Sequence, residues 1–120
     1  MATFSKEILS GSTDGKAVKV AATATAGTLI HEGSATARTI DEVWLYAVNS
    51  SGSDVKLTIE WGEATDPDGN IELSVTAESG LVLVVPGLPI QGNATELEVR
   101  AFAATANVIC IHGYVNQITV

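Results

Sequence analysis

The chain has 120 residues, a length that fits one domain with a modest core. Its net charge of −8, with only six Lys and Arg and no basic run, argues against sequence-independent binding to DNA or RNA, which needs several cations reaching phosphates. A single cysteine, Cys110, excludes an intramolecular disulfide framework, and no apolar run is long enough to cross a bilayer as a helix.

The opening residues, MATFSKEIL, lack a basic segment followed by a long apolar run, so no secretory signal is expected and synthesis in a cytosol is. Residues 15–28, GKAVKVAATATAGT, are small, β-prone and poor in large core side chains. They predict an edge strand or an extended arm. We take residues 1–28 as that arm and residues 29–120 as the body of one domain. An arm of this texture suits strand addition to another backbone.

Residues 43–48, VWLYAV, are apolar on both sides of a strand. From Asp54 to Trp61 the pattern alternates strictly: Val55, Leu57, Ile59 and Trp61 face one way, Asp54, Lys56, Thr58 and Glu60 the other. That is a half-buried strand with a solvated polar side. Ile71, Leu73 and Val75 alternate in the same way, as do Leu97, Val99 and Ala101 with Glu96, Glu98 and Arg100. Residues 81–85, LVLVV, and 108–115, VICIHGYV, are again apolar on both sides. Antiparallel strands of that kind need a second layer or a neighbouring subunit over them.

Turn signals separate these runs at Ser12–Gly15, Asn49–Gly52, Asp66–Asn70, Glu78–Gly80 and Gln91–Asn93. No helix start is followed by a helical apolar stripe. The pattern predicts roughly eight to nine strands in an all-β, antiparallel β-sandwich or jelly-roll-like single domain. Only 17% of residues are charged, against about 25% in an average protein, which suits a surface partly covered by partners.

Four groups are candidates for chemistry. Cys110 and His112 share one face of a strand, and with His31 they would offer three ligands to zinc; packing residues in a core or interface are the other reading. A Cys–His nucleophile pair lacks an orienting partner. The loop Glu63–Asn70 gathers oxygen ligands in Asp66, Asp68 and Asn70, as a calcium loop does, but the twelve-residue pattern is incomplete and the same residues make an ordinary turn. Trp44 and Tyr46 share a face, either as a binding row or as core or interface packing. Glu96 and Glu98 read as a solvated face and not as a glycosidase pair. No nucleotide-binding or nucleophile-elbow motif occurs. The expectation is a non-enzymatic protein with no catalytic, cofactor-binding or metal residues.

Three passages carry a resemblance: FSKEILSGSTDGKAVKVAATATAGTLIH (residues 4–31), DEVWLYAVNSSGSDVKLTIEWG (41–62), and ESGLVLVVPGLPI with VRAFAATANVICIHGYVNQI (78–90 and 99–118). Together they resemble small structural proteins of tailed bacteriophages. The resemblance implies a capsid decoration, or cement, protein: a homo-oligomer, expected to be a trimer, bound to the major capsid protein on the exterior of the virion. It carries no residue-level motif. A tail or head-fibre component and a carbohydrate- or calcium-binding module are the alternatives, and neither nucleic acid nor membrane is an expected partner.

Overall fold

The computed structural model describes residues 2–120. The strands are β1 (Thr3–Ile8), β2 (Val18–Lys19), β3 (Thr28–Glu32), β4 (Thr39–Asn49), β5 (Val55–Trp61), β6 (Asn70–Val75), β7 (Val82–Gln91), β8 (Glu98–Ala103) and β9 (Ile109–Thr119). No helix forms among the described residues.

Two antiparallel sheets face each other. Sheet A runs β1-β9-β4-β7, with β2 also on β9; sheet B runs β3-β8-β5-β6. From β2 onward the chain crosses between sheets at nearly every connection, and only β5 and β6 form a hairpin within one sheet. Leaving β1 aside, the orders β2-β9-β4-β7 and β3-β8-β5-β6 are those of an eight-stranded jelly roll. The fold is thus a β-sandwich of the jelly-roll kind, with β1 as an addition.

The period of two along each strand builds the core. On β4, Thr39, Asp41, Val43, Leu45, Ala47 and Asn49 are buried, while Ile40, Glu42, Trp44, Tyr46 and Val48 are half-buried on the outer side. Leu45, Leu57, Ile59, Val99, Ile109 and Ile111 meet between the sheets with essentially no exposure. Each such side chain contributes about 1.5–3 kcal/mol.

One sequence expectation is narrowed here and another changes. The runs at 43–48 and 108–115 are apolar on both sides, yet among the described residues their outer side is only half-buried, with no second sheet over it. In the run at 81–85, Leu81 and Leu83 are exposed. Conversely, the polar side of β5 is not solvated throughout: Thr58 and Glu60 are buried, because residues 22–27 lie across them.

The arm region divides into parts. Thr3–Ile8 pairs with the far half of β9, in register from Thr3 opposite Thr119 to Ile8 opposite Tyr114. Val18 and Lys19 pair with Ile111 and Cys110 nearer its start. Strand β1 is exposed on both sides, so it extends sheet A beyond the cover of sheet B. Its free edge carries no proline and no register shift. The opposite edge, β7, carries Pro86 and Pro89 and two register shifts against β4, features that discourage further strand pairing.

Candidate functional site

The outer faces of the two sheets are built from the same alternation and differ in chemistry. On sheet A, register places Phe4, Ile118 and Ile40 in one row, Lys6, Asn116 and Glu42 in the next, then Ile8, Tyr114 and Trp44. His112, Tyr46 and Leu83 follow, then Cys110 and Val48. Six large apolar side chains are exposed among the described residues: Phe4 (73%), Ile8, Leu81, Leu83, Leu88 and Val120. All six lie on the strands of sheet A or next to them in sequence, and sheet B supplies none.

This face is ordered by side-chain contacts. The rings of Trp44 and Tyr114 are parallel within 9°, with centroids 6.2 Å apart. The Lys6 ammonium sits 4.5 Å from the centre of the Tyr114 ring, a cation–π contact. The Trp44 indole N–H donates to Glu42 Oε1 at 2.8 Å, and the Asn116 amide donates to the same oxygen at 3.1 Å. These two donors, Trp44 first, hold the Glu42 carboxyl below its ordinary range by stabilising the anion. Gly87, at φ +75°, lets the indole lie flat against β7: a Cβ there would fall 2.7 Å from Cζ2 of Trp44. A shallow groove of about 330 Å³ runs between Phe4, Lys6, Glu42 and Ile118.

The outer face of sheet B is acidic. It presents Glu32, Glu60, Glu72 and Glu98 against Lys56 and Arg100. The strands alone thus sum to −2 on this face, against +1 from Lys6, Lys19 and Glu42 on the outer face of sheet A, and Glu63, Asp66, Asp68 and Glu96 in the loops beside sheet B add four further carboxylates. Much of the sheet B face is closed by the chain itself. Gly27 N–H donates to Glu60 Oε1 at 2.7 Å, and the Thr25 hydroxyl donates to the other oxygen. Arg100 donates to the Gly27 carbonyl at 2.9 Å and to Glu98, whose carboxylate raises the guanidinium further above its ordinary value. Gly27 allows the close approach: a Cβ would meet the Ala101 carbonyl oxygen at 2.4 Å. Beside this strap, Glu60, Glu63, Glu96, Glu98 and Arg100 line a cavity of about 280 Å³.

The sequence candidates are dispersed. His31 lies buried on β3, between the sheets. Cys110 and His112 are on the outer side of sheet A, so the three do not converge. Among the described residues, no three His, Cys, Asp or Glu side chains come together as metal ligands would. The loop 63–70 closes on itself. The Asn70 side-chain amide donates to Asp66 Oδ1 at 3.1 Å, Gly69 N–H donates to the Thr65 carbonyl at 2.9 Å, and Asn70 N–H donates to the Pro67 carbonyl at 3.1 Å. Trp44 and Tyr46 stand on the outer face of sheet A, half-buried by their neighbours. Of the two glutamates at 96 and 98, Glu98 is on β8 and paired with Arg100, while Glu96 precedes the strand.

One cluster was missed in the sequence. The Ser10 backbone N–H donates to His31 Nδ1 at 3.1 Å, so the imidazole proton is on Nε2, 2.7 Å from Asp41 Oδ2. Gln117 donates to the other oxygen of Asp41 at 2.9 Å. The Ser10 hydroxyl is turned away and accepts from the Glu32 N–H. The serine is therefore not placed as a nucleophile. The network ties the residues after β1 to β3, β4 and β9, across both sheets. The signal was available: Asp41 shares its strand parity with Val43, Leu45 and Ala47, hence the buried side.

No protein-family model, curated protein or solved structure matches the chain. The sandwich presents two extended outer faces on opposite sides, one largely apolar and nearly neutral, the other acidic.

Proposed function

We propose that this chain is a structural virion protein, a capsid decoration protein that binds the assembled major capsid protein of a tailed phage and stabilises the shell as a homo-oligomer, a trimer. One observation carries the reading: the sandwich leaves one sheet face largely apolar and nearly neutral and gathers most of its net negative charge on the other side. A protein that joins copies of itself and also grips a shell needs two separate surfaces. The resemblance of the three sequence passages to phage structural proteins supports the same reading. Jelly rolls also recur in capsid proteins and in lectins, which lends weight only by analogy.

In this reading the acidic side docks onto Lys and Arg of the coat protein, with an affinity that falls moderately as salt rises. An oligomer touching several coat subunits gains from avidity. It binds the assembled shell and not unfolded coat chains, so it stabilises the shell by linkage, stoichiometrically and saturably. The test is to heat particles with and without the protein and follow DNA release. Release shifts to higher temperature and reaches a plateau once sites are filled. An unchanged release temperature at saturating protein contradicts the proposal.

The parallel Trp44–Tyr114 pair on the outer face of sheet A favours one second reading, a platform on which sugar rings stack. That reading requires quenching or a shift of tryptophan emission by oligosaccharides, which the capsid reading does not.

A further inference from the structure

We infer that the outer face of sheet A, together with the edge strand β1, is the surface through which copies of this chain meet one another. The inference deepens the oligomer of the reading above and rests on that reading only in this respect.

Charge selects the partner. Two chains at −8 repel each other, and the repulsion is weakest where they present least negative charge. That place is the outer face of sheet A, where Lys6, Lys19 and Glu42 sum to +1. A basic partner would be drawn to the opposite, acidic side. The neutral apolar face is left for a partner as acidic as the chain itself, which a second copy is.

The face is also self-complementary. Lys6 and Glu42 stand in one row across β1, β9 and β4. Around a threefold axis each copy presents the β1 end of this face to the β4 side of the next, so Lys6 of one copy has a Glu42 of its neighbour to approach, and the contact repeats three times. Phe4, the most exposed large apolar side chain among the described residues, projects beside the groove formed with Lys6, Glu42 and Ile118. The same feature thus offers a knob and a hole. Along the margin, β1 offers unpaired backbone groups without the prolines that block β7.

The size is adequate. Four strands spaced about 4.8 Å apart and a rise of about 3.3 Å per residue give the face roughly 15 Å by 35 Å, about 500 Å² in projection. Side chains standing up from it bring the accessible area toward the ~800 Å² per partner of a standard interface.

The experiment is sedimentation velocity from micromolar to hundred-micromolar concentration. The expected result is an oligomer for the native sequence. The double variant Phe4→Ser with Leu83→Ser should raise its dissociation constant about a hundredfold or more, as expected for loss of apolar anchors. Phe4 is largely and Leu83 nearly half exposed in the single chain, so the circular dichroism spectrum should stay native. Glu72→Gln, on sheet B, leaves association unchanged. In a Trp61→Phe background, where Trp44 is the only tryptophan, emission should move to the red on dilution. A native chain that stays monomeric at the highest concentration overturns the inference, and so does a double variant that associates as tightly as the native chain. Shell protection is read separately. A chain that associates through this face yet leaves shells unprotected keeps the inference and loses the capsid reading; a monomeric chain that protects shells does the reverse.

Discussion

On sheet B, residues 22–27 fold back across the outer face, and Glu60 and Thr58 disappear beneath them. On sheet A the equivalent face carries Trp44, Tyr46 and Tyr114, which stay half-buried, and no strap like that of residues 22–27 crosses it among the described residues. Both faces arise from strands that alternate in the usual way. They differ in what the chain supplies as cover. Sheet B receives a strap of small residues held by a buried carboxylate, which satisfies polar groups and leaves acidic neighbours in water. Sheet A receives only another strand, β1, which widens the apolar area instead of hiding it. The comparison shows that polar side chains can be internal to a fold while aromatic ones remain available outside it.

Two substitutions would break or sharpen this contrast. The larger effect is expected on the closed face. Glu60→Ala removes the acceptor of the Gly27 N–H and the Thr25 hydroxyl and leaves Arg100 without one of its anionic neighbours. The exposed Thr25 hydroxyl can turn to water, so one buried donor, the Gly27 N–H, is stranded; at about 1–3 kcal/mol for such a group, offset in part by relief of the buried carboxylate, the net loss should be about 2 kcal/mol in urea unfolding. Gly27 should then exchange its amide hydrogen rapidly. Unchanged stability would mean that the strap is not held by Glu60. The smaller effect is expected on the open face. Ile8→Ser, half exposed on β1, should cost less than about 1 kcal/mol. A loss comparable to that of Glu60→Ala would show that β1 is part of the folding core and not an outlying strand.

The degree to which this contrast can be read from sequence differs between the faces. The body strands are legible because their alternation is local: Val55 to Trp61, Ile71 to Val75 and Val99 to Ala101 fall on β5, β6 and β8. The turn clusters between them mark the connections. The apolar character of both sides of residues 43–48 is equally plain, and it correctly raises the question of cover. The strap is not legible. Glu60 and Lys56 occupy the same polar side of β5, and nothing local separates the buried one from the exposed one. The difference is made by Gly27, 33 residues earlier in the chain. Phe4 and Ile8 are also hidden from a sequence reading, because their place beside Ile118 and Tyr114 depends on β1 reaching the far half of β9. The His31–Asp41 pair lay between these cases, since parity gave the side of Asp41 but not its partner.

The most direct test of the division between the faces is covalent footprinting of one sample in three states: dilute, concentrated, and bound to shells. Radical labelling reports the apolar and aromatic side chains, and carboxyl labelling reports the acidic ones. The account predicts that Phe4, Trp44 and Leu83 become protected on concentration alone and stay protected on shells. It predicts that Glu63, Asp66, Asp68 and Glu72 become protected only on shells. Aromatic side chains on sheet A that label equally in all three states, or acidic groups that are protected on concentration alone, would contradict it.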